Sequence, residues 1–272
     1  ARFRIPITCA SVNRLFRIGP PYHFRCLGGL TFSLDHLSGG RSFPLAAVRG
    51  KPFLRPVASG SPMLTGELER TLVFCIFLAG CATEDAAVSA GVEAFEHLRH
   101  YVRPHVVKVA GTYPGWIGRW WQPWAPRPDF WETVSRMRRY IACASPQARP
   151  VFSFLSTTFV PTNTLQVFAF DDDYSFGVIQ SGFHWAWTKV KGGRVRADYR
   201  YTTDVWRTYP WPQVPTDDQV AAVASAAREL RRVRRELMDE NAWSLRQLYQ
   251  AAEIDGRHPL KDAQAALDTA VR

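Results

Sequence analysis

"DDDYSFGVIQSGFHWAWTKVKGGRVRADYRYTTDVWRTYPWP" (171–212) is the stretch on which the reading of the chain turns. Its first half, 171–192, opens on three acids and predicts one aromatic-rich helix capped by Asp171 or Asp172. In its second half Arg194, Arg196, Asp198 and Arg200 stand at every second position. That spacing predicts a strand over 194–201 with all four on one face. Lys189 and Lys191 precede it. Arginine reads guanine O6 and N7 bidentately, and an acid beside it accepts from cytosine N4. A strand bearing Arg196 and Asp198 could therefore read one G·C pair, with Lys189, Lys191, Arg194 and Arg200 on phosphate or neighbouring bases. The same charges could equally be an intra-strand salt bridge on a solvated face, and the residues alone leave both open.

Working outward, "YIACA" (140–144), "PVFSFL" (150–155) and "TLQVFAF" (164–170) are short strand candidates, with others at 71–79 and Leu30–Leu34. "TEDAAVSAGVEAFEHLRHYVRP" (83–104) predicts a helix capped by Thr83, with Pro104 beyond its end. "YPGWIGRWWQPWAPRPDFW" (113–131) holds five tryptophans and four prolines, a density that only a structured loop tolerates. Its rings could stack bases but are better read as packing; Arg119 and Arg127 flank it and could touch phosphate. A helix then opens at Arg127–Pro128 and runs to 140.

Past Pro215 the character changes. "TDDQVAAVASAARELRRVRRELMDEN" (216–241) carries an apolar stripe from Val220 to Leu237, and two shorter helices start at Ser244 and Pro259. Five arginines, Arg228, Arg231, Arg232, Arg234 and Arg235, line the long helix, where Glu229 and Glu236 suit a solvated face and phosphate contact is the alternative. The fold expected is α+β: a mixed sheet with packed helices, then a small helical C-terminal domain. The expected divisions are 1–65, poorly defined; 66–214, the mixed part; and 215–272, helical.

The chain has 272 residues, 46% of them hydrophobic, and a formal charge of +10. A real core is within reach, and the charge suggests either a polyanionic partner, nucleic acid before membrane, or equally a basic protein with no such partner. No apolar run approaches the roughly 18–20 residues of a membrane span. The N-terminal stretch is basic without an apolar h-region, so it does not read as a signal peptide; the chain reads as a fragment of something longer. The five cysteines form no C-x-x-C pair and suit free thiols in a reducing cytoplasm.

Catalytic signatures are missing. There is no G-x-x-x-x-G-K-[ST], no G-x-S-x-G and no N-P-P-Y, so no catalytic, cofactor-binding or metal residue is assigned. His97, His100 and His105 read as surface or packing histidines, and "DDD" at 171–173 as a helix cap.

Together, "FDDDYSFGVIQSGFHWAWTKVKGGRVRADYRYTTDVWRTYPWPQ" (170–213), "RWWQPWAPRPDFWETVSRMRRYIA" (119–142) and the closing helices resemble MmeI-like, type IIL-related adenine-specific DNA methyltransferases of bacterial restriction–modification systems. The resemblance implies a target recognition domain and a C-terminal helical domain that bind double-stranded DNA. The methyltransferase domain and its S-adenosylmethionine would lie upstream, so this fragment alone would not be catalytic. It also implies that Arg196 and Asp198 read one base pair. After "RYI" the family often has a basic segment; here it is "CASPQARP" (143–150), with Arg149 its one cation. An inactive remnant of a truncated gene and a nuclease or other DNA-processing enzyme are the alternative readings.

Overall fold

A computed structural model of the chain describes residues 31–32, 53–68, 74–123 and 126–272. Most of the expected 1–65 segment lies outside these residues.

The centre is a three-stranded antiparallel sheet. β4 (Arg139–Ala144) runs between β5 (Phe152–Ser156) and β7 (Leu165–Phe168). Its register sets Ile141 between Phe154 and Phe168. Five consecutive β4 residues are buried, so both faces are covered, which is why "YIACA" shows no alternation. A second sheet orders β1 (Thr31–Phe32), β3 (Phe74–Ile76), β2 (Leu54–Ala58) and β6 (Val160–Pro161), with β2 and β6 parallel. The mixed sheet-and-helix class is as expected.

Two expected helices are broken. The stretch 83–104 is α2 (Glu84–Ala90), α3 (Val92–Tyr101) and α4 (Arg103–Lys108); the short α1 (Gly60–Thr65) precedes them. Thr83 caps α2 as expected, accepting from Ala86 N at 3.2 Å. The chain passes so close to Phe53 at Gly91 that a Cβ there would lie 2.4 Å from the ring. Pro104 sits in the first turn of α4 rather than beyond a helix end. Residues 127–140 form α5 (Pro128–Val134), which stops before β4. The stretch 171–192 breaks at Ser181 into α6 (Asp173–Gln180) and α7 (Gly182–Lys191). Ser181 is extended there, and its Oγ accepts from His184 N and caps α7. Asp172 caps α6 through Ser175 N at 2.7 Å.

After α8 (Thr203–Arg207), the helices α9 (Asp217–Asn241), α10 (Leu245–Glu253) and α11 (Pro259–Val271) close the fold. Capping boxes start two of them, Thr216 with Gln219 and Ser244 with Gln247. One hydrophobic core joins Tyr140, Ile141, Phe152, Phe168, Phe176 and Ile179 to Val223, Ala227, Leu230, Leu248 and Leu267. The core therefore runs across the change of composition at 215. The tryptophan loop is mostly packing. Its 3-10 turn Pro114–Arg119 and the following residues bury Trp116, Trp120 and Trp121 in a second core with Phe95, Leu98 and Val106. Trp121 Nε1 donates to Cys81 O at 2.9 Å.

Candidate nucleic-acid interface

The strand expected over 194–201 is a hairpin. β8 (Gly193–Val195) and β9 (Asp198–Arg200) pair antiparallel about a two-residue turn at Arg196–Ala197. Arg196 holds the left-handed turn with φ 58. Tertiary bonds to the second half override the alternation. Tyr199 exchanges both backbone hydrogen bonds with Gln147, at 3.0 and 3.2 Å. Two residues on, Tyr201 is 1% exposed and anchors the chain in the core.

The register redistributes the charges. Gly193 stands opposite Arg200, Arg194 opposite Tyr199, and Val195 opposite Asp198. Residues directly opposite share a face, so Asp198 and Arg200 lie on one side and Arg194 on the other, with Arg196 at the tip. The four charges do not form a single row.

What they form instead is the exposed end of a hairpin packed on α7. Arg194 Nη2 donates to Tyr199 Oη at 2.5 Å, with the guanidinium 4.4 Å from that ring's centre. Tyr199 meets Trp185 of α7 edge-on at 4.9 Å, and Lys189 Nζ lies 5.5 Å from Trp185. Arg194, Tyr199, Trp185 and Lys189 are thus one continuous row of cation and ring. On another side of α7, Lys191 Nζ lies 5.3 Å from Trp187, which is fixed by donating to Val205 O at 3.2 Å. Lys189, Lys191, Arg194, Arg196 and Arg200 are all exposed, and Asp198 is half-buried. Aromatic backing of this kind fixes a cation's position while leaving its charge facing water.

Behind the hairpin sits His184, with no exposed surface. Its Nδ1 lies 2.6 Å from Ile179 O and its Nε2 3.0 Å from Tyr201 Oη. The carbonyl requires the proton on Nδ1, so Nε2 accepts from the tyrosine. Burial pushes its pKa down to about 4. Phe152, Tyr201, Trp206 and Tyr209 surround the ring. Sequence reading did not single out His184, Trp185 or Tyr199; their signal is the aromatic density of 183–211 itself.

Two further cations expected to touch DNA lie outside the hairpin row. Arg149 lies over the ring of Tyr249 in α10, and Arg119 donates to Pro123 O at 2.9 Å beside the tryptophan cluster. His97 and His100 pack against Tyr101 at 4.7 and 4.5 Å. The α9 arginines divide. Arg232 pairs with Glu229 and Glu236 as a solvated face should. Arg228 and Arg231 join Arg139 around Asp173, and Arg234 is buried.

Comparison with known proteins bears on the same stretch. Residues 124–213 match the family profile described as MmeI, target recognition domain. The resemblance drawn from the sequence is borne out over those residues. A solved structure of the type IIL restriction–modification enzyme MmeI in complex with DNA is similar, with a TM-score of 0.67 and 19% identity. The match covers 90% of this chain and 30% of that one, so the chain spans under a third of the length of that enzyme. At that identity the likeness shows the fold. No curated protein matches the chain. Among the described residues, no helix is long and apolar enough to cross a membrane.

Proposed function

We propose that the chain is a sequence-specific double-stranded DNA recognition module, with the β8–β9 hairpin and the end of α7 as its reading head. The observation that carries this is the hairpin. A two-stranded ribbon fits the major groove of B-DNA. This one offers Arg196 at its tip, Arg194 on one face, and Asp198 with Arg200 on the other. It lies within the residues that match a target recognition domain, and the similar structure is that of an enzyme bound to DNA.

Arg196 and Asp198 remain the proposed base readers. Lys189, Lys191, Arg194 and Arg200 are proposed to hold phosphate or neighbouring bases. The parent is proposed to be a bacterial adenine-N6 methyltransferase of a restriction–modification system, working in the cytoplasm. Methyl transfer and its S-adenosylmethionine belong, in this reading, to a domain outside the chain, and no step of that chemistry involves the residues described.

Selection of bound duplexes from a random pool, followed by anisotropy titration, tests the reading. The chain is expected to enrich a defined site and to lose affinity steeply with salt. Arg196→Ala with Asp198→Ala should lose about 1–3 kcal/mol of discrimination at one base pair, while salt-sensitive nonspecific binding persists. Unchanged preference at every position would sink the assignment.

A further inference from the structure

Among the described residues, Arg228, Arg231 and Arg232 of α9 each have an anion, and the buried Arg234 has none. Asp173 serves Arg139, Arg228 and Arg231, while Glu229 and Glu236 serve Arg232. Arg234 is 5% exposed and, among the described residues, has no carboxylate partner. Its Nη1 donates to Phe152 O at 2.9 Å, its Nη2 donates to Tyr249 Oη, and its buried Nε has no partner. A second guanidinium faces the same tyrosine. Arg149, from the segment between β4 and β5, lies 5.8 Å from the Tyr249 ring centre, where Arg234 lies 5.1 Å away. Arg149 is half-buried, its Nε is enclosed without a partner, and among the described residues its guanidinium makes no hydrogen bond or ion pair.

Two like charges thus share one tyrosine in a part-dry setting with no anion between them. Enclosing a charge without a counter-charge is costly, and guanidinium forks match phosphate oxygens bidentately. We propose that Arg149 and Arg234, seated on Tyr249, form a phosphate-binding site. Arg149, on the solvent side, takes the phosphate oxygens; Arg234, held beneath by Phe152 O and Tyr249, supplies charge and fixes the ring. The site does not belong to the Arg194–Tyr199–Trp185–Lys189 row, and it brings α9 and α10 into ligand contact.

A phosphate can come from a duplex backbone or from a free phosphate compound. The duplex is close at hand, because Gln147, two residues before Arg149, is paired with Tyr199 of the hairpin. Only that source rests on the function proposed above; the phosphate site does not.

Arg234→Gln disturbs a buried bond to Phe152 O and could unfold the chain, so Arg149→Gln carries the test. Thermal melts of the 272-residue chain are compared in sodium phosphate and sodium chloride at equal ionic strength. Phosphate should raise the melting temperature, Arg149→Gln should abolish the rise, and Arg232→Gln should keep it. In duplex titrations, Arg149→Gln should lower the slope of log K against log salt by about one if the duplex is the source. An unchanged slope with the phosphate response lost assigns a free phosphate. If the wild-type chain binds no duplex, the DNA reading fails and the melts alone decide the site. No phosphate effect specific to Arg149, together with an unchanged slope, overturns the proposal.

Discussion

His184 is a titratable ring held neutral in the folded chain, and its protonation is coupled to stability. Its pKa falls from an ordinary 6.5 to about 4 because burial disfavours the charged form. The unfolded chain therefore takes up a proton at a pH where the folded chain does not. Its contribution is complete above pH 6.5 and is lost as pH falls through the window down to about 4. The loss over that window is about 3 kcal/mol. Urea unfolding at pH 7.5 and pH 4.5 should show it, and His184→Gln should show a flatter pH profile from a lower starting stability. Gly177 makes a second case. A Cβ there would lie 2.7 Å from Val223 Cγ1 and 3.2 Å from Ala227 Cβ. Alanine gains about 1 kcal/mol of helix propensity but overpacks a buried contact at about 1–3 kcal/mol. Gly177→Ala should be net destabilising by denaturant titration. Arg196 differs from both, since its left-handed backbone costs roughly 1 kcal/mol that glycine would not incur. Arg196→Gly should hold or raise the melting temperature while base discrimination falls, separating the contact from the turn.

At the scale of elements, the hairpin depends on how it leaves α7. Gly192 makes that exit, and a Cβ there would lie 2.5 Å from Thr188 O and 3.5 Å from Arg200 O. Those atoms are backbone and cannot rotate away. Gly192→Ala should therefore shift the hairpin relative to α7, weakening specific duplex binding with little change in the melting temperature. The same element shows where sequence reading stopped. Residues 171–192 are legible as helical from their acids and aromatic spacing. The break at Ser181 is not, because Asp268 of α11 supports it from afar, accepting from Gly182 N at 2.8 Å. Likewise, Arg194 to Arg200 alternate as a strand would. Only the pairing of Tyr199 with Gln147 and the burial of Tyr201 show that the chain turns back at Arg196. The charges of the candidate site were legible; their distribution over two faces and a tip was not.

For the molecule as a whole, the three closing helices complete the core of the sheet. α9 and α11 pack on α6 through Gly177, and Arg234 ties α9 to β5. A chain ending at residue 214 would expose Phe176, Ile179 and the Gln180 bond to Phe152 N. It should lose its near-ultraviolet circular dichroism and its cooperative melt, because a half-covered apolar surface cannot offset the entropy of ordering the chain. A truncated chain that melts cooperatively would show that the mixed part folds alone.

Residue order alone makes this a basic chain with enough apolar residues for a core, helices where caps and periodicity agree, and a run of cations among aromatics at 185–200. Those are local properties, set by side-chain chemistry and spacing along one chain. Packing sets which arginines face water, which face Asp173, and which, among the described residues, stand at Tyr249 without an anion. It also turned a strand into a hairpin and ran one core through the change in composition at 215. These outcomes depend on contacts between residues tens of positions apart, and pairing and burial at that range outweigh the local preferences that a sequence displays.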